Sequence, residues 1–295
     1  THPTTGKVLN KYPIGWALMN WPAYKLTHLF YGLINDNPKG IEPIYFTIIW
    51  LYQITLTLLS LILCHRILRQ FLPNDTALWA LLVTWLASPL LYYQVVRFGM
   101  VHNQVFFLSM VIIWLSLKLK DTSTAATWML LGFASGMLLI SRPTAAAYLL
   151  IPFWYCLLQI QRNPKAEYKR LGIGIVAGTI PLLVQLGVWK EIYGSWFVFS
   201  YTGEPFFFLK PALWSSLFSD RHGLFNWHPL LLLGAIGWII GSFRKFSFPK
   251  VWIISFALVV YINSAWWCWW FGSSFGNRSY EVSLLFFMAG LGFAY

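Results

Sequence analysis

Apolar runs long enough to cross a lipid bilayer recur along most of this chain. Its 295 residues are 58% hydrophobic and 10% charged, with a mean hydropathy of +0.60. A soluble domain carries about 25% charged residues and has too little interior to bury this much apolar surface. Because backbone groups in lipid must bond within their own segment, the runs are predicted to be helices. We therefore predict an all-α polytopic membrane protein.

A helix that crosses the hydrocarbon core needs about 20 apolar residues. Runs of roughly that kind lie at 43–64, 77–96, 101–117, 125–141, 144–160, 171–189, 229–243, 251–268 and 281–295. The sequence thus predicts about nine transmembrane helices in one domain over 1–295. Since the chain starts at Thr1 without methionine and ends at Tyr295 inside an apolar run, we expect a fragment that lacks an N-terminal span and is truncated at its C-terminus.

The positions of the cations favour one orientation of these helices. About half of the 21 Lys and Arg residues lie in the short loops at 65–76, 118–124, 161–170 and 244–250. Cytoplasmic loops are rich in Lys and Arg, so the long segments 1–42 and 190–228 and the turn at 269–280 are predicted to lie outside. Segment 15–34 is interrupted by Pro22 and carries Lys25 and His28, so we expect a helix in the outer interface.

The net charge of +12 fits cations at membrane borders and an anionic ligand better than it fits nucleic acid. Cys64, Cys156 and Cys268 lie in or beside apolar runs without metal-ligand spacing, so we predict no metal site and no cofactor. The sequence leaves open whether the protein uses a divalent metal supplied from solution.

Two cations of the predicted outer face are candidates for holding a phosphate. Lys11 precedes Pro13 and the start of a helix, where backbone N–H groups favour an anion; the alternative is a lysine that snorkels to the interface. Arg142 follows an apolar run, and an intramembrane arginine costs about 2.5–3.5 kcal/mol on insertion scales, so it needs a ligand or a partner. A structural salt bridge between helices is the alternative for Arg142.

The turn at 269–280 contains a third candidate, Arg278. It follows the letters GSSFGN and precedes the last apolar run, and small residues let backbone donors approach an anion. The tryptophans among Trp266–Trp270 are expected to wall the headgroup region. The alternative for Arg278 is a pair with Glu281, since residues three apart on a helix can touch.

The long loop 190–228 offers acid–base or substrate contacts at Asp220, Arg221, His222 and Glu204. A solvated loop edge with a local ion pair is the alternative for 220–222. We expect Lys11, Arg278 and part of 220–222 to converge on one outer cavity.

Four pieces of the chain resemble the GT-C superfamily of membrane glycosyltransferases, in particular its protein O-mannosyltransferase and aminoarabinose-transferase branches. They read KYPIGW, GFASGMLLISRPTAAAYLLIP, LFSDRHGLFNWHPLLLLGAIGW and WWFGSSFGNRSYEV. The resemblance implies transfer of a sugar from a polyprenyl-phosphate carrier to an acceptor hydroxyl, on the periplasmic side of a bacterial inner membrane or the lumenal side of the endoplasmic reticulum. Lys11 corresponds to the lysine of the family's Lys-Pro element, although Tyr12 separates it from Pro13, and Arg278 corresponds to the arginine of the glycine turn.

The family's catalytic acid precedes the Lys-Pro element, and no acid precedes Lys11 in this chain. The catalytic residue is therefore unknown, and an Asp upstream of Thr1 is expected. The partners that the resemblance implies are membrane lipid, the polyprenyl-phosphate sugar and further membrane subunits. A noncatalytic membrane subunit, a lipid-binding scaffold and a transporter of lipid-linked intermediates are the alternative functions.

Overall fold

A computed structural model describes residues 1–243 and 250–295, and helices dominate both ranges. The α-helices are α1 (Gly15–Tyr31), α2 (Pro43–Leu68), α3 (Asn74–Leu86), α4 (His102–Lys118), α5 (Ala125–Ser141), α6 (Leu150–Arg162), α7 (Pro164–Tyr193), α8 (Leu213–Phe218), α9 (Leu224–Trp227), α10 (Pro229–Phe243), α11 (Lys250–Ala265) and α12 (Leu284–Ala294). A π-helical turn covers Tyr92–Val96, and 3-10 segments cover Pro143–Leu149 and Arg278–Ser283. The all-helical prediction is confirmed for the described ranges. The predicted loop 244–250 lies, apart from Lys250, outside them.

Three helices are long and apolar enough to cross a membrane: α2, the continuous segment Pro143–Arg162 that includes α6, and α7. With a rise of about 1.5 Å per residue, the 26 residues of α2 and the 30 residues of α7 exceed the hydrocarbon thickness. Shorter apolar helices form at Ala125–Ser141, Pro229–Gly241 and Lys250–Ala265. The structure thus supports a membrane protein, whereas the number of about nine spans is not confirmed.

Prolines explain where the helices depart from the predicted runs. The run 77–96 was expected to be one span, but α3 ends at Leu86 and the helical backbone resumes only near Pro89. Proline disfavours helical geometry in the residue before it. The same effect ends α5 at Ser141, because Arg142 precedes Pro143 and is extended, with φ −153° and ψ 98°.

Glycines bring α5 and α7 into backbone contact. A side chain at Gly132 would collide with the carbonyl oxygen of Gly174, and one at Gly136 would collide with that of Gly178. Both helices thus carry a Gly-x-x-x-Gly pattern on the shared face, which allows close helix packing in membranes. The glycine pairs define the seam between α5 and α7.

Buried amides join α1, α2, α4 and the π-helical turn. Gln53 donates to Asn20 at 2.7 Å, Asn103 donates to the Gln53 side chain at 2.7 Å, and Gln94 donates to Asn103 at 3.0 Å. All four side chains are almost fully buried. Because unpaired amides are costly away from water, this chain of hydrogen bonds fixes the relative heights of the four elements.

The two ends of the helical assembly differ in their residues. At one end, Arg162 donates to the Lys120 carbonyl at 3.4 Å and Ser123 donates to the Glu167 carboxylate at 2.6 Å, so two predicted cytoplasmic loops meet. At the other end α1 begins, with Gly15 against Ser141 at the end of α5. We call this second end, where α5 and α7 finish and α4 starts, the outer end. The helix predicted within 15–34 is confirmed as α1, and its depth in the bilayer stays a prediction.

Candidate functional site

A buried ion-pair cluster lies at the outer end and joins α4, α5 and the 3-10 segment before α12. Nη1 of Arg142 lies 2.5 Å from Oε1 of Glu281, and the same carboxylate oxygen lies 3.1 Å from Nδ1 of His102. Arg142 also donates to the hydroxyls of Ser279 at 2.6 Å and Thr144 at 3.1 Å. The Arg142 side chain is only 13% exposed and that of Glu281 only 3%.

The cluster occupies most of the donor capacity of Arg142, which is at most five N–H groups. Arg142 therefore forms the structural salt bridge that the sequence offered as the alternative to a phosphate contact. The phosphate contact of Arg142 stays a prediction. Oε2 of Glu281 is buried and accepts no hydrogen bond among the described residues. Since Glu281 is bound to Arg142 and His102, the alternative in which it pairs with Arg278 is wrong.

Arg278 begins the 3-10 segment and is half-buried. Its Nη1 group lies 3.5 Å from the sulfur of Met100, and its guanidinium carbon lies 5.9 Å from the centre of the Tyr93 ring. Thioether sulfur is a weak acceptor, and no carboxylate pairs with Arg278 in residues 1–243 and 250–295. Arg278 therefore retains most of its N–H donors for another acceptor.

Lys11 pairs with a residue that the sequence had suggested separately. Its Nζ atom lies 2.6 Å from Oε1 of Glu204 and 5.5 Å from the centre of the Tyr201 ring, and the Ser200 hydroxyl donates to the Lys11 carbonyl at 2.7 Å. The hydrogen bond to Glu204 raises the pKa of Lys11 above its ordinary value, and burial raises the pKa of Tyr201. The first segment and the loop after α7 are thus joined at Lys11.

Asp220, Arg221 and His222 turn to different partners. Arg221 lies over the Trp270 ring at 3.9 Å, a cation–π contact. His222 has a positive φ of 62° and hydrogen-bonds the Trp270 carbonyl at 2.9 Å. Asp220 accepts from Asn226 at 3.2 Å. The three side chains therefore do not form a local acid–base pair within the described part of the chain.

Aromatic rings connect the 220–222 group to Arg278. The His222 ring lies 4.8 Å from Trp227, Trp227 lies 6.3 Å from Phe275, and the Phe275 N–H donates to the Tyr93 hydroxyl at 2.8 Å. Arg278 lies over that same tyrosine. The structure thus brings Arg278 and 220–222 into one neighbourhood at the outer end.

Lys11 lies two residues before Pro13, which lines an apolar cavity of about 240 Å³, and the Tyr201 ring next to Lys11 packs against Trp266 with ring centres 5.8 Å apart. This cavity is lined by Pro13, Leu139, Ile140, Pro143, Leu182, Gln185, Leu186, Trp189 and Phe197. Neither Arg278 nor any residue of 220–222 lines it. The expected single cavity around Lys11, Arg278 and 220–222 therefore stays a prediction.

Sequence reasoning missed the joint position of His102 and Glu281. In the sequence, Glu281 stands out only as an alternative partner for Arg278. The available signal was Glu281 itself, because an acid at the head of an apolar run needs a partner. In the described residues, no three His, Cys, Asp or Glu side chains group as metal ligands.

No protein-family model, no curated protein and no solved structure matches this chain.

Proposed function

We propose that this chain is the membrane domain of a glycosyltransferase. It takes a sugar from a polyprenyl-phosphate carrier and transfers it to an acceptor hydroxyl on the outer or lumenal face of a bacterial inner membrane or the endoplasmic reticulum. The proposal starts from the resemblance of four sequence pieces to GT-C enzymes. The structural observation that carries it further is Arg278, a half-buried guanidinium without a carboxylate partner among the described residues.

The chemistry of the transfer explains the need for such a group. When the bond between the sugar and the carrier phosphate breaks, negative charge develops on the phosphate oxygens. Donors fixed in advance at that position lower the barrier. A guanidinium presents a planar fork that matches phosphate geometry, and the weak contact of Arg278 with Met100 is easily replaced by a phosphate oxygen.

The acids of the described site are engaged in other contacts. Glu204 is bound to Lys11, Asp220 accepts from Asn226, and Glu281 is bound to Arg142 and His102. The proposal therefore assigns the catalytic base to a residue upstream of Thr1, in the position that the resemblance implies.

The test compares Arg278→Ala and Arg278→Lys with wild type in the intact protein. Binding of polyprenyl phosphate in detergent micelles and transfer of sugar from its glycosylated form are measured. A hydrogen bond to a charged group is worth about 1.5–3 kcal/mol, so Arg278→Ala is expected to weaken binding roughly 10- to 150-fold. Arg278→Lys keeps the charge without the fork and is expected to fall between.

Lys39→Ala is the control, because Lys39 is an exposed cation of the predicted outer segment 1–42 and forms no ion pair in the described residues. Wild-type binding and transfer in Arg278→Ala would show that Arg278 holds no carrier phosphate. Binding that depends on Arg278, in an intact protein that transfers no sugar, would point instead to a lipid-binding scaffold or a transporter.

A further inference from the structure

The segment 205–214, which runs from the loop after α7 into the first turn of α8, presents large apolar side chains on its surface. Phe207, Phe208, Leu209 and Trp214 are all exposed, and Leu209 is 97% exposed. This segment lies in the predicted outer loop 190–228, a position that would leave these side chains in water. Neighbouring exposed apolar side chains mark an interaction surface, so the chemistry of the partner has to be identified.

The backbone of this segment is attached to the outer end of α11. The Phe207 N–H donates to the Ala265 carbonyl at 2.6 Å, and the Ala212 N–H donates to the Ser264 carbonyl at 2.8 Å. Phe206 also forms an isolated antiparallel bridge with Trp266. The segment is therefore held at a defined height on the helical assembly.

Phe208 lies beside α11, farther from the outer end than Ala265 does. The Tyr261 hydroxyl donates to the Phe208 carbonyl at 2.7 Å, and the two rings stack with their centres 6.0 Å apart. Tyr261 precedes Ala265 by four residues, which is about 6 Å along the helix axis. Helical side chains lean toward the N-terminus, and in α11 that direction leads away from the outer end. Phe208 therefore lies about one turn inside the end of α11.

The side of α11 that Phe208 covers is an exposed apolar stripe. Ile254, Leu258 and Tyr261 are exposed and lie on one face, since they are four and three residues apart. The tryptophans of 266–270 follow directly, and indole side chains favour headgroup depth. Phe208 therefore packs on an exposed apolar stripe, whereas Pro205 and Phe206 lie level with Trp267 and Trp266.

Part of the backbone of this segment suits the border of the hydrocarbon. Backbone donors in lipid need partners, and Pro205 and Pro211 bring no N–H group. The Lys210 N–H donates to the Phe207 carbonyl at 3.0 Å. The exposed Lys210 side chain has a long flexible stem that lets its ammonium reach the headgroups.

We propose that segment 205–210 lies at the border of the outer leaflet and that Phe207, Phe208 and Leu209 insert their side chains into its hydrocarbon, in contact with acyl chains of bilayer lipid. Glu204 directly precedes this segment, so the same position places the Lys11–Glu204 pair at the border of the leaflet. The inference goes beyond the proposed activity, because it concerns the contact of this loop with bulk lipid and holds for a transferase, a scaffold or a transporter.

The test is depth-dependent fluorescence quenching of the full chain in phosphatidylcholine vesicles. Cys156→Ser and Cys268→Ser leave the buried Cys64, and Leu209→Cys is then labelled with an environment-sensitive dye. Leu258→Cys serves as the lipid-facing control, and Thr202→Cys, exposed in the same loop, as the aqueous control. Because the Leu209 side chain is exposed, its replacement is not expected to disturb packing.

The Leu209 label is expected to lose most of its emission with lipids brominated on their acyl chains and little with aqueous iodide, as at Leu258. The Thr202 label is expected to show the reverse. Iodide quenching at Leu209 equal to that at Thr202, without an effect of brominated lipid, would overturn the proposal and leave the surface in water. Protection from both quenchers would also overturn it, because it would indicate coverage by protein.

Discussion

Arg142 and Glu281 are 139 residues apart in the sequence, yet Nη1 of the one lies 2.5 Å from Oε1 of the other. The pair ties the end of α5 to the 3-10 segment that leads into α12. Both side chains are almost completely shielded, so neither charge would be solvated if its partner were removed. Removing one partner of a buried pair typically costs about 3–5 kcal/mol.

Arg142→Met and Glu281→Leu are each expected to destabilise the protein by about that amount, measured by denaturation in detergent micelles. The double variant removes both charges together, so it is expected to be less destabilised than the sum of the two single variants. Strictly additive losses would mean that the two side chains do not interact energetically.

The seam between α5 and α7 gives a second prediction. Gly132→Ala and Gly136→Ala place a methyl group against the opposite backbone and are expected to cost roughly 1–3 kcal/mol as overpacking. Gly172→Ala and Gly187→Ala are matched controls on α7, because open space surrounds both positions. Alanine favours a helix over glycine by about 1 kcal/mol, so the controls are expected to be neutral or stabilised. Equal effects at all four positions would contradict close packing at the seam.

The Lys11–Glu204 pair predicts a dependence of stability on alkaline pH. Since the pKa of Lys11 is raised in the folded state, its contribution is complete below the unfolded pKa of about 10.4 and is lost as the pH rises through the folded pKa. The side chain of Lys11 is 42% exposed, so Lys11→Met is expected to cost about 0.2–1 kcal/mol near pH 8, toward the lower end.

The difference in denaturation midpoint between Lys11→Met and wild type is expected to shrink above pH 11. Lys39→Met, at an exposed lysine without an ion pair in the described residues, serves as the control and is expected to show little effect at either pH. A difference between Lys11→Met and wild type that widens with pH would refute the predicted stabilisation.

The orientation of the chain can be tested by cysteine labelling. Lys165→Cys lies in a predicted cytoplasmic loop, and Ser273→Cys lies in the exposed turn before Arg278. In a background of Cys156→Ser and Cys268→Ser, an impermeant maleimide added outside intact cells or spheroplasts is expected to label Ser273→Cys alone and to reach Lys165→Cys only after permeabilisation. Labelling of both from one side would refute the predicted topology.

The helical class followed from composition, because lipid leaves the backbone few alternatives to a helix. Helix ends were less predictable. Pro89 and Pro143 interrupt apolar runs, and an average of hydropathy does not register these interruptions. The restriction on the residue before a proline was nevertheless available from the sequence. Counting apolar residues therefore found where helices form better than where they end.

The candidate site illustrates the limit of local spacing. A separation of three residues favoured a pair between Arg278 and Glu281, but Glu281 pairs with Arg142 and His102, which come from distant parts of the chain. Lys11 and Glu204 were likewise selected separately, and nothing in the sequence joined them. Such pairings depend on which helix ends meet, and a single sequence does not encode that in its spacing.

The seam between α5 and α7 also determines which parts of the outer end can move. Backbones that touch at Gly132 and Gly136 cannot slide or part without losing contact along both helices. Ile140 and Trp189 line the apolar cavity from α5 and α7, so the glycine contacts fix the spacing of these two walls. Pro13 and Phe197 line it from the two segments that the Lys11–Glu204 pair joins, so the aperture of the cavity depends on that pair rather than on the helices.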